Sequence, residues 1–343
     1  MVVSISKKEL LSHVISFWPI EKLLLLFNNS DSKKIPILAY HRVYDIDNED
    51  LFNHDLGLIS ASCDQFEWQV KYLKKYYTPI TFHELDEIKK SKTKLPKNPV
   101  IITFDDGFID NYINAYRILK ENSMNAVFYV STDYIGSSRL YWFDNIVHQI
   151  KCTEKNEITL NTINKVLNVS TEKDKNLSID TVLGQAKIIS DSERVKLVDE
   201  LSIECAVNCR DNKSDHYPMS WSQVREISDN GCEIGSHSET HPILSKVSAV
   251  QLDAEIKGSK ESIESYIDKP VISIAYPVGG KSAFNSDVIN NVKQSGYKYG
   301  CSYVAGNNNL DNLDVLKLKR AHVERYTSNA CFKAMLLLPS IFG

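Results

Sequence analysis

Short apolar runs alternate with segments of helical spacing along most of the chain, and no other feature restricts its fold as much. Ile35 to His41, Tyr77 to Phe82, Val100 to Phe104, Ala126 to Val130, Cys232 to Ile234, Val271 to Ala275, Tyr299 to Ser302 and Val315 to Arg320 read as strands. Between them, Cys63 to Tyr76, His83 to Lys90, Phe108 to Lys120, Trp221 to Asn230, Ser248 to Ile267 and Asn285 to Ser295 carry apolar residues at helical intervals. Ser220 is placed as an N-cap, and Gly231 closes the same helix. Strand-helix alternation predicts an α/β fold with a parallel sheet. Seven or eight such units fit a (β/α) barrel, with an open doubly wound sheet as the alternative.

The alternation breaks once. Residues 151–215 are rich in Lys, Asn, Ser and Asp, and Val195, Leu197, Val198 and Leu201 recur at helical spacing. This stretch is expected to be a helical insertion lying over or beside a barrel formed by residues 35–150 and 216–330. Residues 1–34 are read as an N-terminal helical segment and 331–343 as a C-terminal one. Leu10 to Phe27 is apolar but interrupted by His13, Pro19, Glu21 and Lys22, too broken to span a bilayer. Trp18, Leu23 to Leu26 and Phe27 suit either packing on the domain or an interfacial helix in peripheral contact with a membrane. Met335 to Phe342 leaves the same choice. Lys7, Lys8 and Glu9 precede no signal-peptide core or cleavage site, so a cytoplasmic or membrane-peripheral location is expected. The seven cysteines are odd in number and scattered, which argues against a disulfide framework. Cys205 and Cys209 lack a second nearby pair for zinc, and buried thiols are expected there. A formal net charge of -4 without a basic stripe argues against a nucleic-acid partner. Oligomeric state is not readable from the sequence.

Chemistry concentrates where strands end. Ile101-Ile102-Thr103-Phe104-Asp105-Asp106-Gly107 is a buried strand followed by two adjacent acids. Such a pair is costly to keep ionised unless a cation or base shares it. A lone Asp-Gly would more simply be a turn or helix cap. The histidine pair His237 and His241, four residues apart after Gly235-Ser236, changes that reading. Two His and one carboxylate form a ligand set for a divalent metal with positions left open. Adjacent carboxylates point different ways, so one can bind metal while the other, as a base, takes a proton from a metal-bound water attacking a carbonyl. The Tyr276-to-Gly280 turn offers backbone N–H groups for an oxyanion, although alone it reads as a Pro-Gly loop. His41 stands at the exit of the first strand. Tyr40, Trp142 and Tyr276 suit either stacking on sugar rings or the core.

Thr103 to Gly107, Gly235-Ser236-His237-Ser238-Glu239-Thr240-His241 and Ala275-Tyr276-Pro277-Val278-Gly279 resemble the successive motifs of the polysaccharide deacetylases, the NodB-homology family also called carbohydrate esterase family four. Leu38 to Val43 is similar to the first strand of the branch that deacetylates exopolysaccharide N-acetylglucosamine. The resemblance covers about residues 35 to 150 and 217 to 330. It implies a distorted (β/α) barrel, a bound zinc (or cobalt, nickel or iron), and hydrolysis of N-acetyl groups on an N-acetylglucosamine-type glycan or envelope-glycan precursor. It matches Asp105 to the catalytic base, Asp106, His237 and His241 to the metal ligands, and the backbone around Val278, within Tyr276, Pro277 and Gly279, to the oxyanion site. Many members have an arginine where Ala275 stands; Arg320 is the substitute here. His322 is the one residue on offer as the family's histidine acid, and His41 is a further pocket residue. An O-acetyl glycan esterase and a non-catalytic carbohydrate-binding domain are the alternative readings, the latter supported by the missing arginine and by Val278 in place of an aromatic residue.

Overall fold

In the computed structural model, which describes residues 7–17, 19–23, 34–207 and 216–342, the apolar runs become strands β1 Ile37–Tyr40, β2 Arg42–Val43, β3 Ile59–Ala61, β4 Thr78–Pro79, β5 Pro99–Phe104, β6 Val127–Val130, β7 Glu157–Leu160, β8 Lys165–Asn168, β9 Glu233–Ser236, β10 Ser273–Ala275, β11 Tyr299–Cys301 and β12 Ala321–His322. The main sheet is parallel in the order β11-β10-β9-β6-β5-β1-β12, with β4 added on β5. Strand β5 lies inside it between β6 and β1 and is buried at every position, as its apolar sequence requires. Period-two alternation sorts the side chains into two layers. Ile37, Ile101, Val127, Tyr299 and Leu318 pack together in one. Their neighbours Leu38, Ile102, Phe128, Ile234 and Ile274 pack with the helical residues Val70, Leu119, Val224 and Ile263 in the other. Each fully buried Ile, Leu or Phe contributes about 1.5–3 kcal/mol.

The sheet curls because one segment reaches both of its edges. Leu318 bridges Cys301 on β11, and three residues later Ala321 pairs with Leu38 on β1. The segment expected as a strand over Val315 to Arg320 is thus a connector, with regular pairing only at Ala321 and His322. The run Tyr77 to Phe82 likewise pairs only at Thr78 and Pro79, because Thr81 turns away to cap the helix Phe82–Ser91 with a capping box to Glu84. Ser220 caps Trp221–Asp229, and Gly231 after it takes φ 96°, as the sequence indicated. The expected helix after the two acids contains a π-helical turn, Asn111–Tyr116, before Arg117–Glu121.

The insertion corrects one expectation. It carries the helices Glu172–Ala186 and Asp191–Cys205, but before them β7 and β8 form an antiparallel hairpin. Ile158 and Leu160 alternate with exposed residues, a two-residue period too short to stand out against the helical spacing around it. Ile158, Leu160, Val182, Leu197 and Leu201 share a core with Phe143, Ile146 and Ile150 of the helix Trp142–Cys152, so the insertion is fused to the barrel rather than tethered to it. Among the described residues no two cysteines form a disulfide; Cys209 lies outside them. The helix Lys7–Ile15 packs on Asn329–Leu337, while Trp18 and Leu24 to Phe27 fall outside the described residues. Among those residues, no helix is long and apolar enough to cross a membrane.

Candidate metal centre and catalytic cleft

β5 delivers Asp105 and Asp106 to the carboxyl end of the sheet, and the chain then reverses sharply. Asp106 takes φ 72° and Gly107 φ 79°. A Cβ at residue 107 would lie 3.0 Å from Val130 Cγ1, so glycine is needed there both for its φ and for space. Asp tolerates the left-handed region better than most residues. This reversal sends the two carboxylates in different directions.

β9 delivers His237, and a tight loop rather than a helix brings His241 to the same place. Ser238 and His241 both have positive φ, and the His241 N–H donates to Ser238 Oγ at 3.1 Å. Buried Glu255 accepts the backbone N–H groups of Glu239 and Thr240 at 2.8 and 2.9 Å, which pins the loop. Nε2 of His237 lies 3.4 Å and Nε2 of His241 3.2 Å from Asp106 Oδ1. The ligand atoms of these three buried residues all lie within 4.8 Å of one another. His237 Nδ1 is 2.8 Å from the Ala275 carbonyl, so that nitrogen carries the proton and Nε2 keeps its lone pair for a ligand. Neither carboxylate oxygen of Asp106 has a hydrogen-bond partner. Burial alone would raise this carboxyl, yet the two imidazoles hold it far below the usual carboxylate range. Two orphaned, ionised oxygens facing two imidazole nitrogens fit a divalent cation.

Asp105 has a different environment. Arg320, fully buried, donates to both of its oxygens at 2.7 Å, from Nη1 to Oδ1 and from Nη2 to Oδ2. Arg320 is fixed in turn by Nε donating to the Ser302 carbonyl at 2.9 Å and Nη1 to Thr103 Oγ1 at 3.1 Å. Burial would raise the Asp105 carboxyl, but the Arg320 charge, followed by that of His237, keeps it below its ordinary value. The arginine absent at Ala275 is therefore supplied in space from the connector that closes the barrel. Each oxygen of Asp105 keeps a second lone pair, so the fork orients the carboxylate without exhausting it.

Asp105, Asp106, His237 and His241 open into one cleft of about 370 Å³, also lined by His41, Tyr276, Val278, Trp142 and Tyr303. Val278 sits at φ 62°, costly for a β-branched residue, and Gly279 follows at φ 60°. That turn is locked to the cleft wall by the Tyr303 N–H donating to the Gly279 carbonyl at 2.7 Å. Tyr276 lines the cleft, but its ring stacks on Phe284 and its hydroxyl donates to the Leu316 carbonyl. Pro277 does not reach the lining. Tyr40 belongs to the core, its hydroxyl donating to Gln69. Trp142 donates from Nε1 to the His241 carbonyl at 2.9 Å, and Arg194 of the insertion lies over its ring, paired with Asp191.

His322 is not among the lining residues. Its ring stacks flat on Tyr303 with centroids 3.5 Å apart, and burial followed by the Arg320 charge pushes it down to about 4. A histidine so poised is neutral near pH 7 and poorly matched to a proton-donating role. His41 does line the cleft. Sequence reasoning missed Tyr303, Asp55 and Glu324, and it saw no role for Leu183 and Lys187 of the insertion, which complete the wall. No local pattern marks these residues, because distant parts of the chain bring them to the cleft.

A curled parallel sheet brings together, at its carboxyl end, an Asp-His-His cluster that could hold a divalent metal and an arginine-held carboxylate, on a (β/α) barrel. The polysaccharide deacetylase family model matches residues 92–300, and the chain belongs to that family. A Bacillus subtilis relative described as the putative polysaccharide deacetylase YxkH is 22% identical over 304 residues, covering 88% of this chain and 76% of that one. The poly-beta-1,6-N-acetyl-D-glucosamine N-deacetylase of Staphylococcus aureus is 34% identical over 116 residues, which cover 32% of this chain and 40% of that protein. The fold is also that of the Streptococcus pyogenes deacetylase PplD in complex with acetate, with a TM-score of 0.59 at 21% identity over 89% of this chain and 98% of that one.

Proposed function

We propose that the protein is a metal-dependent N-deacetylase of an N-acetylglucosamine-type glycan, with Asp105 as its catalytic base. The observation that carries this reading is the placement of an ionised, arginine-held carboxylate in the same cleft as an Asp-His-His ligand set. Asp106, His237 and His241 would hold the metal, zinc being the first choice for two imidazoles and a carboxylate. The metal would polarise the acetamide carbonyl as a Lewis acid. Asp105 takes a proton from the attacking water, with Arg320 aiming the carboxylate and keeping it ionised. The backbone at Val278, set by the strained turn and by Tyr303, would receive the developing oxyanion. His41 gives a proton to the leaving amine, being the cleft histidine outside the ligand set. Similarity to a poly-beta-1,6-N-acetylglucosamine deacetylase supports the choice of glycan.

The test is acetate release from β-1,6-linked N-acetylglucosamine oligomers and, in parallel, from an O-acetylated glycan. Asp105→Asn is expected to bind metal normally and lose activity. Asp106→Ala is expected to lose both. Full activity in either variant would refute the assignment, and release from the O-acetylated glycan alone would replace amide with ester hydrolysis.

A further inference from the structure

Four carboxylates line the cleft, and three of them have partners. Asp105 is gripped by Arg320, and Asp106 faces two imidazoles. Asp55 accepts the Gly57 N–H at 2.8 Å; burial raises its carboxyl, and that N–H and the charge of Lys187 oppose the rise. Glu324 is the fourth. It is exposed, and its carboxylate takes part in no hydrogen bond or ion pair among the described residues. The adjacent base, Arg325, is engaged with Glu49 at 2.6 Å and leaves that charge unneutralised. The backbone nevertheless holds Glu324 firmly. The Val323 N–H donates to the Ala39 carbonyl at 3.0 Å, continuing the parallel register in which Ala39 faces His322. The same register sets Glu324 beside His41, at the exits of neighbouring strands. The Glu324 N–H donates to Thr327 Oγ1 at 3.0 Å and its carbonyl accepts the Thr327 N–H at 2.8 Å, which closes a turn. Burial raises the Tyr303 hydroxyl and, against Arg320, the charges of Asp105, Glu324 and Asp106 raise it further, so these carboxylates share one phenol as a neighbour.

We infer that Glu324 is a specificity-determining residue that favours a glycan in which the unit beside the reacting one already carries a free amine, its carboxylate binding that ammonium. The inference rests on the deacetylase reading, since hydrolysis of an acetamide is what creates such a unit. An ammonium offers a carboxylate charged donors, and charge-assisted hydrogen bonds are about twice as strong as neutral ones. A fully acetylated neighbour offers only amide and hydroxyl donors. The reacting position itself is the wrong place for the ammonium. Arg320 cancels the charge of Asp105, and a divalent cation on Asp106 outweighs that single carboxylate, so like charges would repel there. The ammonium that Glu324 meets therefore belongs to the next unit along the chain. Complementary charge at a cleft edge selects between partners more than it adds raw affinity. The enzyme would work most readily beside its own products and leave deacetylated units in runs.

The experiment is calorimetric binding to the full, zinc-loaded chain carrying Asp105→Asn, which leaves the acetamide uncut. Two β-1,6-linked trimers are compared, one N-acetylated throughout and one with free amines on both outer units and an acetamide in the middle. The parent is expected to bind the amine-bearing trimer more tightly, with a preference that shrinks as salt is raised. Adding Glu324→Gln should weaken binding of that trimer about three- to fivefold, and of the acetylated trimer by less than about twofold. Glu324→Lys should weaken the amine-bearing trimer about tenfold or more, since repulsion replaces attraction. Residue 324 is exposed, so an unchanged thermal midpoint verifies folding. Equal affinity of the parent for both trimers, binding of neither, or an equal loss on both in Glu324→Gln overturns the inference. Acetate release by the wild type from the acetylated trimer is read separately. Release without any preference for the amine refutes the role of Glu324 alone, and a preference without release refutes the catalytic reading alone.

Discussion

Replacing Arg320 by Met removes one half of an ion pair whose side chains are 0% and 3% exposed. The carboxylate of Asp105 then stays behind in a dry site, and the Ser302 carbonyl and Thr103 hydroxyl each lose a donor. Leaving one charge of a buried pair uncompensated costs about 3–5 kcal/mol. The sign with pH follows from the depressed Asp105 carboxyl. In the wild type its ionisation stabilises the fold above the unfolded value and ceases to do so as pH falls through the lower, folded value. In Arg320→Met the largest charge opposing burial is gone and the carboxyl rises, so the deficit is largest at neutral pH and shrinks as acid protonates Asp105. Urea unfolding of chelator-treated protein at several pH values reads both effects. Asp105→Asn/Arg320→Met, which removes both charges, is expected to recover a good part of the loss, giving a coupling of about 2–3 kcal/mol in the double-mutant cycle. Additive single effects, or a deficit that grows towards acid pH, would refute the assignment of Arg320 as the partner that keeps the base ionised.

Two further outcomes follow from the cleft. Trp142→Phe keeps the ring but deletes the donor to the His241 carbonyl, and is expected to weaken zinc affinity roughly tenfold to a hundredfold, as read by chelator competition. His41→Ala is expected to lower kcat about 10²–10⁴-fold, whereas His322→Ala, at a residue stacked on Tyr303 and outside the lining, should lower it far less; the reverse order would exchange their roles.

The parts of this protein legible in its sequence are those whose meaning is local. Asp105 and Asp106 at the end of an apolar strand, and His237 and His241 in one short loop, announce a cation site because contiguous residues carry the pattern. Arg320 was identifiable only as a replacement for a missing arginine; its distance of 215 positions from Asp105 in the chain hides the pairing until the barrel closes. Tyr303, Leu183 and Lys187 had no signal, since each reaches the cleft through tertiary placement alone. His322 shows the opposite failure: a strand-exit histidine in the expected place whose ring stacks on Tyr303 and is not part of the cleft lining. The hairpin in the insertion escaped notice because two buried residues at period two carry little weight beside two helices. The barrel itself was readable because parallel strands buried on both faces must be apolar throughout.

The most direct test of the central claim is to strip the protein with a chelator, measure acetate release from β-1,6-linked N-acetylglucosamine oligomers, and repeat the assay after adding back one equivalent of zinc. In the wild type, acetate release is expected to be lost on stripping and to return with the metal, while Asp105→Asn binds zinc and remains inactive. Undiminished release from metal-free protein would contradict it, as would a wild-type chain that takes up no metal.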